Sequence, residues 1–300
     1  MAKTFFAPAK VNLYLHLVGR RGDGYHLIDS LVAFADIGDH VRVRPAPALS
    51  LELGGPEAAS LADTGDDNLV LRAAHLLAAH AGIEAGAALR LEKNLPVASG
   101  IGGGSSDAAA VLHALVELWR IPIEADALAR LALALGADLP ICLYAAPAWV
   151  GGIGEAVEPA LQLPPAGILL ANPRTALPTA AVFAARRGPF GGPGRFAPMP
   201  ADAAGLARVL SGRRNDLTQA AVAILPEIAV VLAELARLPG ALLARMSGSG
   251  ATCFALFADL AAAERGHALL ASRRPGWWCA AGRLASAARQ PGVAAVAEIH

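Results

Sequence analysis

Residues 95–112 read LPVASGIGGGSSDAAAVL, with four glycines in five positions, then two serines, an aspartate and an alanine-rich run. Because glycine has no Cβ atom, such a loop lets a ligand approach the backbone closely and adopts positive φ angles without strain. The run after it predicts a helix, whose N-terminus attracts anions through its dipole and its unpaired N–H groups. The stretch therefore indicates a strand, a phosphate-binding loop and a helix. From these residues alone, an ordinary glycine-rich turn before a capped helix is the alternative.

Two familiar nucleotide-binding loops do not fit this stretch. A Walker loop ends in Gly-Lys-Ser/Thr, and residues 95–112 contain no lysine. Gly100 and Gly102 nearly match a dinucleotide-binding fingerprint, but its last glycine would be Ser105. The acidic residue expected about 20 positions later would be Glu124, at the start of a predicted helix rather than at the end of a strand. A phosphate wrapped by backbone N–H groups is the design that these residues favour.

The composition predicts a folded protein without a nucleic-acid partner. Of the 300 residues, 55% are hydrophobic and 17% charged, so the chain can bury a large core in one large domain or two ordinary ones. The 25 basic residues balance the 25 acidic ones, and the isoelectric point is about 7.1. This balance gives no electrostatic reason to expect nucleic acid or an anionic membrane as a partner.

The cysteines and the apolar runs indicate a cytoplasmic protein. Cys142, Cys253 and Cys279 are far apart, which fits neither a disulfide framework nor a zinc site. Pro8 and Lys10 interrupt the N-terminal stretch before a signal peptide could form. The longest uncharged run, 139–154, is broken by prolines and a glycine pair, so it predicts no membrane span.

The first half of the chain mixes strand and helix patterns. Apolar and polar residues alternate from Val11 to Leu17, which is typical of a half-buried strand and puts Lys10 and Asn12 on its polar face. Further strands are predicted at 27–34, 41–44, 49–53, 89–93 and 141–144. Helices are predicted at 69–81, after the glycine-rich loop, and at about 124–135.

The second half has a different character. Residues 186–200 are so rich in glycine and proline that they predict a long irregular loop. Asn215 and Asp216 then predict the cap of a helical region that ends near Arg237 and is bent at Pro226. Strands at 241–246, 252–257 and 277–281, with a helix from about Leu260, predict a small α+β unit. We therefore predict two domains that meet at a cleft, residues 1–157 and 158–300.

Three stretches of the sequence resemble the three motifs of the GHMP kinases, named after galactose, homoserine, mevalonate and phosphomevalonate kinases. They are PAKVN at 8–12, LPVASGIGGGSSDAAA at 95–110 and RMSGSGATCFALF at 245–257. Other stretches resemble members of this family that act on a cytidylyl methylerythritol; they lie at 8–39, 66–74, 136–144, 151–155 and 213–217. Together these stretches span almost the whole chain in order, so the resemblance does not depend on a single loop.

The resemblance implies a fold and a reaction. The fold would be α+β (mixed α/β), with an N-terminal ATP-binding α/β domain that has a left-handed crossover and a ferredoxin-like C-terminal domain. The reaction would be the ATP-dependent phosphorylation of the 2-hydroxyl of a cytidylyl methylerythritol, in non-mevalonate isoprenoid synthesis. The partner is then a small molecule, and we expect neither nucleic acid nor a membrane. We expect a monomer or a weak homodimer.

The same resemblance assigns an ATP site. Asn68 and Lys93 fall where the family contacts adenine, and the loop would hold the triphosphate. The residues of that loop are Pro96, Val97, Ala98, Ser99, Gly100, Ile101, Gly102, Gly103, Gly104, Ser105, Ser106 and Asp107. Mg²⁺ is expected with ATP, although the sequence shows no carboxylate cage, because magnesium often keeps its waters and binds the phosphates. No metal-ligating residue is assigned.

The resemblance also assigns the catalytic residues. Asp138 matches the family's general base, which accepts the proton of the attacking hydroxyl. Lys10 matches the catalytic lysine, and its charge would keep Asp138 ionised and offset charge on the moving phosphoryl group. Asn12 would orient the substrate beside Lys10. Without the resemblance, Lys10 could be a solvated strand-end lysine and Asp138 a helix cap.

The remaining predictions concern the substrate. Tyr25 and His26 correspond to the turn that reads cytidine, Tyr25 by stacking and His26 by hydrogen bonds. Phe183 falls where the opposite stacking ring is expected. The turn at 247–250 brings Gly248, Ser249 and Gly250 against the substrate and the phosphate loop.

Two alternatives stay open at this point. The chain could be a sensor that has the same fold and binds nucleotide or sugar without catalysis; the presence of both Lys10 and Asp138 speaks against this. It could also phosphorylate homoserine, mevalonate or another alcohol. The turn that contains Tyr25 and His26 speaks against that second alternative.

Overall fold

The computed structural model describes residues 2–61, 65–84, 86–160 and 162–285. A first, six-stranded sheet is built around two long antiparallel strands, β1 and β2. Its strands are β1 Lys3–Arg20, β2 His26–Ala46, β3 Ser50–Gly54, β4 Gly86–Glu92, β5 Ala148–Gly151 and β6 Ala156–Pro159. The order is β3-β4-β2-β5-β6, and β1 pairs with β2 along nearly its whole length. All neighbouring pairs are antiparallel except β3 and β4.

Four helices belong to the first half of the chain. They are α1 Leu69–Ala81, α2 Gly103–Trp119, α3 Ala125–Leu135 and α4 Leu139–Tyr144, and two short 3₁₀ turns at Ala58–Leu61 and Gly65–Asp67 precede them. Helix α2 packs on β1 and β2, and the other three pack on α2 or on one another. One apolar cluster joins α1 and α2 to β2 and β4, with Phe34 and Leu77 fully buried in it. Burial of this face, rather than helix propensity, holds the helices on the sheet.

A second sheet has four antiparallel strands. They are β7 Gly167–Asn172, β8 Leu243–Met246, β9 Cys253–Phe257 and β10 Trp278–Arg283, in the order β10-β7-β9-β8. The helices of this half are α5 Thr179–Ala185, α6 Ala203–Ser211, α7 Thr218–Ile224, α8 Glu227–Ala236 and α9 Leu260–Arg273.

A shared apolar cluster joins the two sheets. Val11 and Leu13 of β1 belong to the same buried cluster as Ile168 of β7 and Phe254 of β9. At the edge of this contact, Ala285 N donates to Phe34 O. The two halves of the chain therefore share a core, which fixes β1 between them.

The first strand lies where it was predicted, but the prediction that only one of its faces is buried was wrong. The predicted polar face of β1 is buried, because Lys10, Asn12 and Tyr14 are at most 5% exposed. Helix α2 packs on β1, and Lys10 N donates to Ile101 O of the glycine-rich loop at 2.9 Å. The alternation of apolar and polar residues in β1 therefore belongs to a strand that is buried on both its apolar and its polar face.

The prediction of a strand at 141–144 was wrong. These residues form α4, which starts at Leu139. Pro140 lies in the first turn of this helix, where its missing N–H is not needed. A four-residue apolar run cannot distinguish a strand from a short buried helix by its periodicity.

Other predicted elements are confirmed, with shifted ends. Helix α1 spans the predicted residues and ends at Gly82, whose φ is 63°. The helical region after Asn215 is interrupted at Pro226, which separates α7 from α8. The predicted strands at 27–34 and 41–44 are parts of the single strand β2. The predicted domain boundary falls within β6, which still belongs to the first sheet. Strands β5, β6 and β7 and helices α5 and α6 were not predicted.

Arg245 of β8 is a buried cation at the junction of both halves. It donates hydrogen bonds to three backbone carbonyl oxygens: those of Leu13 at 2.6 Å, Leu210 at 2.8 Å and Arg213 at 2.7 Å. Burial, and to a smaller extent the charge of Arg213, lowers the pKa of Arg245 to about 10. The fork of the guanidinium therefore ties β1 and the end of α6 to β8.

We predict that Arg245→Lys lowers the free energy of unfolding by about 2 kcal/mol or more, since an ammonium group cannot bond carbonyls on both sides of this fork. The measurement is equilibrium unfolding in urea. Arg208→Lys is the matched control, because Arg208 is an exposed residue of α6. Its change is expected to stay within about 0.5 kcal/mol. Equal effects of the two substitutions would contradict this account.

Candidate active site

Lys10 and Asp138, which are far apart in the sequence, meet beside the glycine-rich loop. Lys10 Nζ lies 2.8 Å from Asp138 Oδ1. The Lys10 side chain is 6% exposed and that of Asp138 is 49% exposed. The ammonium group therefore lies beneath the carboxylate, and the carboxylate faces solvent, where a substrate can reach it.

The fold fixes both side chains from the backbone. Lys10 is in the middle of β1, opposite Phe34 of β2. Asp138 is the residue that precedes the first turn of α4, and α4 packs on α2. Ser106 Oγ of α2 donates to Cys142 Sγ of α4 at 3.5 Å. The start of α2 is therefore the common support of the glycine-rich loop and of Asp138.

The glycine-rich loop leads directly into α2, as the sequence predicts. Helix α2 starts at Gly103, and Gly102 before it has a φ of 65°. Ile101 is fully buried, whereas Ala98 and Gly104 are exposed. The first N–H groups of an α-helix have no partners within the helix, so this end of α2 can donate to an anion.

A second turn, residues 247–250, closes over the first loop. Ser247 Oγ donates to Gly100 O at 3.1 Å and accepts from Asn12 N at 3.1 Å. Thr252 N donates to Ser99 O at 3.1 Å. One serine hydroxyl thus joins β1, the glycine-rich loop and the turn after β8. Ser249 Oγ lies 2.9 Å from Thr179 Oγ1 at the start of α5.

Close approach of main chains makes Gly100 necessary at this contact. Its φ is 74°, and a Cβ atom there would lie 2.6 Å from Gly250 O and 2.7 Å from Ser247 O. Gly248 is equally close, since its Cβ would lie 2.6 Å from Gly100 O. These distances leave no space for a side chain at Gly100 or at Gly248.

Asn12 places an acceptor without a partner beside this turn. Its Nδ2 donates to Ser30 Oγ at 2.8 Å, and Ser30 Oγ donates to Tyr14 O. The Oδ1 atom of Asn12 is buried and has no hydrogen-bond partner within the described part of the chain. An unpartnered buried acceptor is costly, so this oxygen can accept a hydrogen bond from a ligand.

The turn between β1 and β2 and the start of α5 form an aromatic site. Arg20 Nε donates to Gly24 O at 3.0 Å, which fixes the turn. The His26 ring lies 5.4 Å from the Phe183 ring, with 35° between the planes. Tyr25 is 60% exposed. The resemblance predicts that Tyr25 and Phe183 stack on opposite faces of the cytosine base. In the structure, the ring that lies against Phe183 is that of His26.

The surroundings of His26 favour the neutral form of its ring. Burial lowers its pKa, and the charges of Arg20 and Arg186 lower it further. A neutral imidazole has one donor and one acceptor nitrogen. It can therefore both accept and donate a hydrogen bond at the edge of a base.

Lys93, predicted as an adenine contact, has its ammonium group buried under the glycine-rich loop. It is 1% exposed, and its Nζ bonds Asp107 Oδ2 at 2.8 Å and Asp39 Oδ2 at a shorter distance. Asp39 also accepts from Leu95 N at 2.9 Å and from Asn94 N. Its side chain is therefore not placed to contact adenine here; it ties β2 and the loop entrance to α2.

Asp39, Lys93 and Asp107 form a buried charge cluster, in which the pKa values of Lys93 and Asp107 are shifted. Burial alone would lower the pKa of Lys93, but the charges of Asp107 and Asp39 outweigh it, so the pKa is raised. Burial raises the pKa of Asp107 to about 8, against the charge of Lys93 and with that of Asp39. Asp39 was not predicted as a site residue. The feature of the sequence that could have indicated it is an acidic residue within the largely apolar strand β2.

Asn68 is a helix cap in the structure. Its Oδ1 accepts from Val70 N at 3.0 Å at the start of α1, and the residue is 6% exposed. Its predicted contact with adenine stays a prediction. In the described residues no group of three or more His, Cys, Asp or Glu side chains could hold a metal ion.

Comparison with known proteins identifies the family of this chain. The model of the GHMP kinase N-terminal domain matches residues 68–146, and that of the GHMP kinase C-terminal domain matches residues 201–270. The first range contains the glycine-rich loop and Asp138, and the second contains the turn at 247–250. The chain belongs to the GHMP kinase family. It is thus a small-molecule kinase with ATP as co-substrate.

Curated relatives within the family narrow the comparison. A protein of Paramagnetospirillum magneticum named 4-diphosphocytidyl-2-C-methyl-D-erythritol kinase is 52% identical over 93% of this chain and 98% of its own length. A protein of Rhodospirillum rubrum with the same name is 51% identical over 97% of this chain and 95% of its own length.

Solved structures confirm the fold. A crystal structure of 4-(cytidine 5'-diphospho)-2C-methyl-D-erythritol kinase has a TM-score of 0.74 and 35% identity, and the match covers 95% of this chain and 99% of that one. The homoserine kinase of Cytophaga hutchinsonii matches with a TM-score of 0.68 at 18% identity, which supports the fold alone. None of the helices in the described residues is long and apolar enough to cross a membrane.

We predict that Gly100→Ala lowers the free energy of unfolding by about 2 kcal/mol or more, because the positive φ and the overlap with Gly250 both oppose a side chain. Gly104→Ala is the matched control in the same loop, since its Cβ would have no neighbour within 4 Å. That variant is expected to be as stable as the wild type or up to about 1 kcal/mol more stable. Urea denaturation of the protein without ligand measures both; a well-tolerated Gly100→Ala would show that the contact is loose.

We predict that Lys93→Met costs about 3–5 kcal/mol of unfolding free energy, because two buried carboxyl groups lose their counter-charge. Lys3→Met is the control, since Lys3 makes an exposed ion pair with Glu117, and its cost is expected to stay below about 1 kcal/mol.

The deficit of Lys93→Met should also depend on pH. In the wild type the charge of Lys93 opposes the rise in the pKa of Asp107, so removing this charge shifts that pKa still further above the unfolded value. The folded variant then binds more protons, and its unfolding free energy falls as pH rises. Denaturation at about pH 5 and about pH 8 should therefore show the larger deficit at the higher pH. A deficit that does not change with pH would contradict a charge-based role for Lys93.

Proposed function

We propose that this kinase transfers the γ-phosphoryl group of ATP to the 2-hydroxyl of 4-diphosphocytidyl-2-C-methyl-D-erythritol, a step of non-mevalonate isoprenoid precursor synthesis. The observation that carries the proposal is the pair of Lys10 and Asp138, 2.8 Å apart and adjoining the glycine-rich loop. The names of the relatives at about half identity support the choice of substrate.

Asp138 is the proposed general base. Its carboxylate is half exposed and can receive the proton of the substrate hydroxyl as the oxygen attacks the γ-phosphorus. The new bond joins that oxygen to phosphorus, the bond between the β- and γ-phosphates breaks, and ADP leaves with the electron pair. Phosphoryl transfer mainly requires such positioning and charge stabilisation from the protein.

Lys10 is the proposed electrostatic partner. Its ammonium group is buried next to Asp138 and below the loop. The positive charge holds the Asp138 carboxylate in place through the ion pair and stabilises negative charge on the phosphoryl group in transit. A cation fixed by β1 needs little reorganisation during the reaction, which makes its contribution larger than that of a mobile side chain.

The proposed ATP site is the loop from Pro96 to Asp107 with the N-terminus of α2. Its backbone N–H groups supply donors for the phosphates. The lack of a three-residue acidic cluster in the described chain fits a Mg²⁺ ion carried by the phosphates, with the hydroxyl of Ser105 as a nearby oxygen donor. Bound there, the ion would neutralise charge on the β- and γ-phosphates.

The proposed substrate site has two ends. At the reacting end, the buried Oδ1 of Asn12 and the turn at Gly248 to Gly250 orient the alcohol. At the other end, Tyr25, His26 and Phe183 bind the cytosine base. A flat base suits exposed rings, since stacking adds about 0.5–1.5 kcal/mol beyond the buried area.

We predict that Asp138→Asn lowers kcat about 10²–10⁴-fold and leaves the affinity for ATP nearly unchanged, because the amide cannot accept the proton. The assay is ADP release with the cytidylyl substrate. Asp126→Asn is the matched control, since Asp126 is an exposed residue in the first turn of α3, and its turnover should equal that of the wild type. Near-normal turnover of Asp138→Asn would exclude this mechanism.

A further inference from the structure

The glycine- and proline-rich segment 186–200 has no role in the site described so far, yet it is firmly attached. It belongs to the second half of the sequence but lies on β1 and β2. Gly191 N donates to Leu17 O at 2.9 Å, and His16 Nδ1 lies 3.0 Å from Gly192 O. Gly194 N donates to Asp29 Oδ2 at 2.6 Å. These bonds fix its path across the end of the first sheet.

Arg195 adds a side-chain attachment to the same segment. Its guanidinium bonds both carboxylate oxygens of Glu158 in β6, at 2.6 and 2.9 Å. It also reaches Asp29 of β2 at 3.4 Å. Phe196 next to it packs edge-on against Trp149 at 5.2 Å. The segment is therefore part of the wall of the first sheet rather than a free connection.

This attachment brings the ring of Phe190 to the aromatic site. The Phe190 ring lies 6.0 Å from the His26 ring, with 61° between the planes. His26 thus lies within ring contact of both Phe183 and Phe190. Phe190 is 43% exposed and Tyr25 60%, and both belong to the few large apolar side chains that the described residues expose. Exposed rings grouped around a half-buried histidine are typical of a ligand site.

Arg186 holds Phe190 in this place. Its guanidinium donates to the carbonyl oxygens of Gly188 and Pro189 and lies over the Phe190 ring, 4.7 Å from the ring centre. The side chain is thus bonded to the two residues before Phe190 and stacked on Phe190 itself. Such stacking fixes the ring at a small cost in conformational freedom.

We propose that Phe190 is a specificity-determining residue whose ring packs against the cytosine end of the substrate, with Arg186 as its positioning residue. The inference rests on the proposed function, since it needs a flat base at this site. The rings of Phe183 and Phe190, which both lie within ring contact of His26, would then contact the same base. A substrate without the base would gain nothing from this ring.

The test is the kinetics of Phe190→Ala with the cytidylyl substrate. Loss of the ring is expected to raise KM for that substrate about tenfold, with kcat and KM for ATP changed less than about twofold. Phe190→Tyr should restore the wild-type KM, because it keeps the ring. Arg186→Gln should raise KM by a smaller factor, since the ring stays but is less well fixed.

Phe196→Ala is the matched control. Phe196 lies on the same segment and also has an arginine over its ring, Arg213 at 4.7 Å, but it faces Trp149 and not His26. Its KM for the cytidylyl substrate should equal that of the wild type.

Three outcomes would overturn the inference. An unchanged KM in an active Phe190→Ala enzyme removes Phe190 from the base site and leaves the proposed function intact. An equal rise in Phe196→Ala shows a general effect of the segment rather than a ring contact. If the wild type itself releases no ADP with the cytidylyl substrate, the proposed function fails and the inference fails with it.

Discussion

The arrangement depends on one close contact between two stretches of main chain. Gly100 lies so close to the main chain of Ser247 and Gly250, and Gly248 so close to Gly100, that neither of these two glycines can carry a side chain. Ser247 completes the contact by bonding both the loop and β1. Because this contact joins the phosphate loop to the second sheet, the geometry of the loop depends on both halves of the chain. Displacement of either half would move the loop relative to Lys10.

Two lysines on either side of the loop show how environment decides a residue's role. Lys10 and Lys93 are both buried and both paired with carboxylates. The carboxylate of Asp138, the partner of Lys10, is half exposed, as its proposed role in accepting a proton from a substrate requires. The partners of Lys93, Asp39 and Asp107, are fully enclosed, and this cluster can only hold the backbone around it. Both lysines are buried, so the exposure of the paired carboxylate is what distinguishes the proposed catalytic pair from the cluster that supports the backbone.

The sequence predicted the parts of the molecule that short-range patterns encode. Helix α1 has a cap, a period and a glycine stop, and its predicted bounds were confirmed. The loop before α2 was predicted from its glycines. The roles proposed for Lys10 and Asp138 come only from the resemblance to a family, because no local pattern connects positions so far apart.

What the sequence did not reveal depends on tertiary contacts. Asp39 is part of a buried cluster whose members come from three different elements. Helix α4 was mistaken for a strand because a four-residue apolar run has no readable period. The polar face of β1 was expected to be solvated, since nothing in its own residues shows that α2 and the loop cover it. In each case the structure depends on residues that are close in the fold but distant in the sequence, and a local pattern does not show them.

The two ends of the site are built in opposite ways, and this difference has a physical reason. At the proposed phosphate end, main-chain contacts and buried charges fix the glycine-rich loop. A fixed loop suits ATP, which stays the same co-substrate whichever alcohol is phosphorylated. At the other end, rings from a turn, a helix and the segment 186–200 meet around His26. Such side chains can be exchanged without disturbing a sheet or a helix. Substrate choice within one fold can therefore change at this end while the chemistry at Lys10 and Asp138 stays the same.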